Sequence, residues 1–285
     1  MNSDTMRKVG IVSPGAMGIS VAAAMRRSGF DVYWASAGRS ADSVARAEAH
    51  HLIDVYSVEN LCATCEAIVS VCPPHTAVTV AEEVLAAGFT GVYLDANAIA
   101  PQKTVHMAEM MAAAGVEFVD GGIIGGPAWE PQKTWLYLSG EQAALVASFF
   151  AEGFLETAVI GHKIGQASAL KMCFAAYSKG TTALLSMILA GAEALGVRAS
   201  LEEQWSRGGS DFAAQTQQRV RRVTAKAWRF EGEMHEIAAT FASVGLPSGF
   251  HEAAAEVYQR LGHYKDVEAT PELGEVLASL LDRNR

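Results

Sequence analysis

The residues of this chain best suited to chemistry stand in three places. In the first, the apolar run Val9–Val12 ends in Ser13-Pro14-Gly15-Ala16-Met17-Gly18 and opens at once into the helical pattern Ile19–Arg27. Strand, tight loop and helix in that order put free backbone N–H groups and the positive end of a helix dipole in front of the strand, where an anion such as a dinucleotide pyrophosphate is held. Gly15 lets the backbone approach the phosphates, and Gly18 lets the helix pack close to the strand. The three-glycine spacing of such loops would want a glycine at position 13, where this chain has serine. Alone, the stretch fits a plain structural turn as well. Read with the other two places, Ser13 to Gly18 form a cofactor cradle.

The second place follows the strand Asp31–Ala35, in Ser36-Ala37-Gly38-Arg39-Ser40. A site for NAD would set a carboxylate roughly 20 residues beyond the glycine loop, on the ribose 2′-OH. Arg39 and Ser40 stand there instead. A guanidinium grips a 2′-phosphate through charge-assisted bonds, so the expected cofactor is NADP (NADPH). Ser40 serves equally as the N-cap of the next helix. The third place is Lys171, early in the apolar stretch Ala167–Leu195. Lysine is seldom buried unless paired or functional. Desolvation lowers its pKa toward neutrality, which suits proton exchange with a hydroxyl or carbonyl oxygen. A lysine reaching solvent from one helix edge is the other reading.

The elements that position these residues alternate in the first half. Strands are expected at Lys8–Val12, Asp31–Ala35, Ala67–Val71, Gly91–Asp95, Glu117–Asp120 and Trp135–Ser139. Helices are expected between them at Ile19–Arg27, Ser40–Ala49, Ala77–Ala87 and Thr104–Ala114. That alternation predicts an α/β, doubly wound parallel sheet. Ligands lie at the carboxyl ends of such strands, which brings Cys72-Pro73-Pro74 and Asp95-Ala96-Asn97 to the crevice of the phosphate loop. From about Gly165 the pattern turns all-helical: Ala167–Leu195, Leu201–Ser206, Asp211–Arg222, Glu231–Val244 and His251–Leu261. The long stretch is apolar nearly all round, which predicts burial between domains or in a dimer. Its 29 residues would span roughly 43 Å. The predicted division is a Rossmann domain at 1–162 and an all-α domain for substrate and dimerisation at 163–285.

Composition excludes other classes. The net charge is −9 and the densest basic run is only Arg219-Val220-Arg221-Arg222, so no basic face for nucleic acid is expected. No stretch reads as a membrane span or a signal peptide, and a cytoplasmic protein is expected. Cys62-Ala63-Thr64-Cys65 has no second ligand pair for zinc. His235-Glu236 and His251-Glu252 are each followed by alanine where a metalloprotease needs its second histidine, at Ala239 and Ala255. No metal site is expected.

In combination these residues resemble the β-hydroxyacid dehydrogenase superfamily, which includes 6-phosphogluconate and 3-hydroxyisobutyrate dehydrogenases and, more distantly, imine reductases. The likeness is carried in order by Gly10–Gly18, by Asp95-Ala96-Asn97 with Pro101, by Asp120-Gly121-Gly122-Ile123-Ile124-Gly125-Gly126, and by Gly161–Lys171. Within the superfamily the chain is most similar to a poorly characterised phosphogluconate dehydrogenase-like NAD-binding subgroup, through Gly38-Arg39-Ser40, Asp95-Ala96-Asn97-Ala98 and Phe230–Pro247. The resemblance implies hydride transfer between a nicotinamide and a hydroxy-acid-like small molecule. It implies that Lys171 moves the proton on oxygen, that Gly125 and Gly126 offer N–H groups to a substrate carboxylate in a glycine-containing loop, that Asn97 lies near the nicotinamide or its ribose, and that the long helix builds a homodimer.

Departures from the family pattern are also present. Ala175 replaces the asparagine that follows the lysine by four, Ile124 replaces a serine of the substrate loop, and Glu233-Met234 replaces a lysine–aspartate pair. On a regular helix Ser178 and Lys179 lie near the face of Lys171 and are expected to bind substrate in place of the lost asparagine. Trp205, Trp228, Arg229, Glu233 and His235 suit either an anionic or aromatic substrate or plain packing. An imine reductase and a non-catalytic NADPH-binding protein are the alternative readings.

Overall fold

The structure is a computed structural model that describes residues 7–282. The chain forms two compact units, dividing between Met172 and Cys173. The N-terminal unit holds one eight-stranded sheet. Its strands are β1 (Lys8–Ile11), β2 (Asp31–Trp34), β3 (Ile53–Asp54), β4 (Ala67–Ser70), β5 (Val92–Asp95), β6 (Glu117–Ile124), β7 (Thr134–Ser139) and β8 (Leu155–Gly161). The sheet order is β3-β2-β1-β4-β5-β6-β7-β8. Strands β1 to β6 run parallel, β7 pairs antiparallel with β6, and β8 follows β7 in parallel. This is the doubly wound Rossmann arrangement that the alternation predicted.

Strands β4 and β5 are buried along their whole length, as a parallel sheet covered on both faces requires. Helices α1 (Ala16–Arg27) and α2 (Ala41–Ala49) follow β1 and β2. They are joined by α3 (Val58–Thr64), α4 (Ala77–Ala86), α5 (Pro101–Ala113) and α6 (Ala143–Ser148). One core, with Val9, Ile11, Met25, Leu94 and Phe149, lies on one face of the sheet. The other, with Ile68, Tyr93, Met107 and Met111, lies on the opposite face. The expected short strand at Glu117–Asp120 continues to Ile124, because Gly121 to Ile124 pair in register with Leu138 to Trp135. Only Gly125 and Gly126 of the expected glycine loop lie outside the strand.

The C-terminal unit is all-helical: α8 (Thr181–Ala194), α9 (Arg198–Ser206), α10 (Phe212–Ser243), α11 (Gly249–Arg260) and α12 (Leu273–Leu281). The two helices expected at Asp211–Arg222 and Glu231–Val244 are one helix of 32 residues. Nothing between them breaks a helix, and Val220, Val223, Ala227, Met234, Ile237 and Ala238 keep one buried stripe running through. Helix α11 folds back along α10, with Phe241 against His251 (ring centroids 4.6 Å apart) and Phe230 against Tyr258 (5.4 Å).

The unit boundary falls ten residues beyond the expected 162/163. Helix α7 (Gln166–Ala175) begins on the sheet, where the amides of Gly165, Ala167 and Ser168 bond to Asp120 of β6. A π-helical turn, Ala176–Gly180, joins α7 to α8. The helical run Gln166–Ala194 is long and apolar enough by length and composition to cross a membrane, contrary to the sequence expectation. It is not wrapped by this chain as a core helix would be. Leu184, Met187 and Ile188 on α8 are 44%, 53% and 36% exposed.

Candidate dinucleotide and substrate site

The phosphate loop is built around one close approach. A Cβ on Gly18 would lie 2.0 Å from the Ser13 carbonyl oxygen, so only glycine lets α1 start this near β1. At Gly15, the N-cap of α1, no side chain caps the helix. A Cβ there would meet nothing within 4 Å. Among the described residues no side chain caps the first N–H groups of α1, which fits a pyrophosphate there.

Beside this loop the structure gathers a basic cluster that the sequence showed only in part. Arg39 is half-buried, and its Nε is buried with no hydrogen-bond partner among the described residues. Ser40 caps α2 by accepting from the Ser43 amide at 3.3 Å, so its hydroxyl is engaged as a cap. Arg46 was missed. From α2 its Nε donates to the Pro14 carbonyl oxygen at 3.2 Å and its other nitrogen to Ser43 Oγ at 3.2 Å. A carboxylate also reaches this end of β2, from β3. Asp54 accepts from the amides of Ser36 (3.2 Å) and Tyr56 (2.8 Å).

Level with the carboxyl ends of β4 and β5, four polar residues stand in register across the sheet: Ser70, Asp95, Asp120 and Ser139 on β4, β5, β6 and β7. All four are buried. Asn97 is buried too, and its amide faces inward. Its Oδ1 accepts from the Cys72 amide at 2.6 Å, and its Nδ2 donates to Ser70 Oγ at 3.1 Å and to Asp95 Oδ1. Through these bonds Asn97, expected near the nicotinamide or its ribose, clamps the Cys72-Pro73 turn. Cys72 is half-buried and Pro73 exposed on that turn. Burial pushes the Asp95 carboxyl up to about 7, against the pull of Asn97.

Asp120 is the anchor of α7. It accepts from Ser168 Oγ (2.6 Å), Ser139 Oγ (2.9 Å) and the amides of Gly165 (2.9 Å), Ala167 (2.9 Å) and Ser168 (3.1 Å). A carboxylate suits a helix N-terminus because the dipole and free N–H groups favour negative charge. Burial still raises its pKa above the ordinary value. One turn on, half-buried Lys171 sits over β6. A Cβ on Gly122 would lie 2.6 Å from the Ala167 carbonyl oxygen and 3.1 Å from Lys171 Cβ. Gly122 is therefore what lets this helix, and Lys171 with it, lie on the strand. The strand then turns at Gly125, where φ is +129° and a Cβ would strike the Lys133 carbonyl at 2.5 Å. The Gly126 carbonyl accepts from Thr134 Oγ1 at 2.7 Å, and the Ala128 amide ties the loop to Ser20 of α1 at 2.9 Å.

In the C-terminal unit, Ser178 and Lys179 lie in the π turn, so a count of 100° per residue from Lys171 does not carry past Ala176. Lys179 is committed to Glu233 at 2.5 Å, with the two side chains 12% and 13% exposed, and lies over the Phe230 ring at 4.7 Å. The Ser178 carbonyl accepts from Arg219 at 2.8 Å, and its hydroxyl donates to the Ala175 carbonyl at 3.4 Å. His235 is exposed, Trp228 lies under Lys265 at 4.5 Å, and Trp205 packs on Phe212. Cys62 and Cys65 are buried, and burial pushes their thiols to about 11 and 12, which makes them poor nucleophiles.

The fold and the loop define a dinucleotide-binding Rossmann protein. Residues 8–148 match the NAD binding domain of 6-phosphogluconate dehydrogenase, and residues 192–261 match a domain of unknown function, DUF1932. The N-terminal unit therefore carries an NAD-binding domain of the 6-phosphogluconate dehydrogenase kind. The chain is similar to a conserved protein of unknown function that structurally resembles 3-hydroxyacid dehydrogenases, at 26% identity and a TM-score of 0.66, over 90% of this chain and 99% of that one. The fold is shared with 3-hydroxyisobutyrate dehydrogenase from Mycobacterium tuberculosis, at 17% identity and a TM-score of 0.72, over 98% and 100%. It is shared also with an imine reductase from Myxococcus stipitatus in complex with NAD+, at 17% identity and 0.56, over 98% and 100%. No curated protein matches the chain.

Proposed function

We propose that the protein is an NADP-dependent oxidoreductase acting on a hydroxy-acid-like substrate, with Lys171 as the proton donor and acceptor at the substrate oxygen. The observation that carries this reading is the seating of α7. Five bonds to Asp120 and the bare Gly122 fix Lys171 over β6, three residues before the strand turns at Gly125. The bound nicotinamide would supply or accept the hydride. The chain's own residues do the rest. The open start of α1 holds the pyrophosphate. Arg39 and Arg46 bind the 2′-phosphate, for which the orphaned Nε of Arg39 is a waiting donor. The Gly125–Gly126 turn presents backbone N–H groups to a carboxylate, and the Lys171 amine exchanges a proton with the hydroxyl or carbonyl. The exposed apolar face of α8, with Leu184, Met187 and Ile188, is where a second copy would pack to form a homodimer.

The test is a titration with NADPH and, separately, NADH, following energy transfer from tryptophan to the reduced nicotinamide. NADPH is expected to bind more tightly, and Arg39→Ala to weaken it by about 1.5–3 kcal/mol, the scale of a charged hydrogen bond, with NADH nearly unchanged. Lys171→Met is expected to abolish turnover of hydroxy acids and leave NADPH binding intact. Equal loss of both cofactors in Arg39→Ala, or loss of NADPH binding in Lys171→Met, would overturn the assignment.

A further inference from the structure

We propose that Asp95 is the positioning residue of the cofactor site: it fixes the rotation of the Asn97 amide, which in turn holds the Cys72-Pro73 turn against the ends of β4 and β5. The inference rests on the dinucleotide reading above. Turning an amide end for end exchanges its N and O and leaves its shape unchanged, so only its partners decide the rotation. The Cys72 amide can only donate, and the Ser70 hydroxyl accepts either role. An ionised Asp95 only accepts, so it draws Nδ2 to itself and turns Oδ1 toward the Cys72 N–H. Carboxylate, amide and backbone form one chain of hydrogen bonds from the centre of the sheet to the turn.

A structural role alone does not account for the choice of aspartate. Asp95 Oδ2 is buried with no partner among the described residues, and so is the hydroxyl of Tyr93, two residues away on the same strand. Asp120 stands directly across on β6 and adds a second carboxylate. The groups that act on Asp95 are Asp120 and Asn97, while Tyr93 feels Asp95 in return, and Cys72 feels both Asp95 and Arg39. No cation is among the causes that set the Asp95 pKa. Burying an ionised carboxylate with one oxygen unpaired costs stability, whereas asparagine would fill the same space without the charge. Retention of a costly group beside a ligand turn points to function. Because this carboxyl titrates near neutrality, the clamp is set at high pH and loosened at low pH, where a protonated Asp95 no longer demands a donor.

The experiment measures the Kd of NADH and of NADPH from pH 6 to 8.5 for the parent, Asp95→Asn and Asn97→Ala, with thermal unfolding of each. The parent is expected to bind both cofactors several-fold more weakly at pH 6 than at pH 8. NADH carries no 2′-phosphate, so a step seen with both does not come from titration of the ligand's extra phosphate. Asp95→Asn is expected to bind about as the parent does at pH 6, without the step, and to melt no lower than the parent at pH 8. Asn97→Ala keeps the carboxylate and removes the relay, and is expected to lose the step as well, which keeps the test alive if Asp95→Asn fails to fold. Parent-like affinity in Asp95→Asn, or a surviving step in either variant, would overturn the proposal alone. A parent that binds neither cofactor would overturn it together with the dinucleotide reading.

Discussion

Gly122→Ala tests the seating of Lys171 with a single methyl group. The added Cβ would lie 2.6 Å from the Ala167 carbonyl oxygen and 3.1 Å from Lys171 Cβ. The first contact is backbone in the opening turn of α7, where Ala167 and Ser168 are bonded to Asp120, so it cannot swing aside as a side chain would. The helix must lift by about half an ångström or more. Overpacking of this kind costs roughly 1–3 kcal/mol. Replacing glycine where φ is not positive returns roughly 0.4–1 kcal/mol through the unfolded chain. A net loss centred on about 1.3 kcal/mol follows (range about 0–2.6), or roughly 3–5 °C in Tm for a unit of this size. Turnover is more sensitive than stability, because a 1 Å misplacement of a reacting group can cost about 100-fold. Urea unfolding, hydride transfer followed at the nicotinamide absorbance and NADPH titration are measured together. The expected pattern is reduced stability, turnover down by about tenfold or more, and NADPH affinity unchanged. Gly126→Ala, whose Cβ would meet nothing within 4 Å, is the control for stability. A Gly122→Ala protein within 0.5 kcal/mol of the parent and equally active would refute the idea that this contact seats the lysine.

Three further outcomes are expected. Gly18→Ala, with its Cβ 2.0 Å from the Ser13 carbonyl, should abolish binding of both NADPH and NADH in the same titration; retained affinity would mean that the loop is not the phosphate site. Glu233→Gln leaves the Lys179 ammonium beside Phe230 without its partner, and should destabilise by about 2–4 kcal/mol in urea, somewhat under the full cost for a wholly buried pair; the added Lys179→Met should recover most of it, and a loss under 0.5 kcal/mol would contradict the pairing. Stability should also depend on pH with opposite signs at two residues. Asp95 has a folded pKa of about 7 against an ordinary 3.8, so the folded state is favoured by its proton below pH 4 and loses that advantage, about 4 kcal/mol, as pH rises through 7. Burial lowers the pKa of His251, so the unfolded chain takes up that proton first and stability is lost as pH falls below about 6.5. Unfolding of Asp95→Asn and His251→Gln against the parent across pH 4 to 8 separates the two, and a difference that does not change with pH would contradict either one.

Strand–helix alternation made the sheet legible because each parallel strand is a short apolar run with a helix behind it. What periodicity could not reach were elements held by tertiary pairing. Strand β3 is two residues long and exists only because Tyr33 and Trp34 pair with it. The extension of β6 through Gly121-Gly122 looks like a loop in sequence, since glycine is poor in strands, and is held by its register with Leu138 to Trp135 of β7, Gly122 leaving room for α7. The single helix α10 was hidden because two strongly patterned segments flank a stretch whose pattern is weaker. At the proposed site, Gly18, Arg39 and Lys171 are candidates by type and spacing alone. Arg46 and Asp54 are not, because they reach the loop and the end of β2 from other elements. The bonds of the Asn97 amide to Cys72, Ser70 and Asp95 were likewise out of reach, because they join the ends of two strands.

The two departures that weakened the sequence reading most have physical answers of different kinds. Among the described residues, non-glycine side chains with positive φ are His51, Tyr56, Gln132 and Asp266, so Ser13 sits in ordinary backbone. The glycine missing there is not needed for conformation. What the loop requires is a neighbour without a Cβ facing the Ser13 carbonyl, and Gly18 supplies it. The loss of asparagine at Ala175 is not made good in the same way. Ala175 is buried, its carbonyl accepts from Ser178 Oγ, and the helix changes pitch directly after it. A buried asparagine there would need partners for its amide, whereas alanine needs none. Against the family pattern that the chain resembles, no polar side chain stands four residues after the lysine, so under the proposed function no amide is offered there to a second substrate oxygen. A substrate that demands no such donor, with a more apolar or bulkier group at that point, fits the change. A substrate series that differs only in the substituent beside the hydroxyl tests it: turnover should rise as a second hydroxyl is replaced by hydrogen or methyl, and a preference for the hydroxyl would contradict the reading.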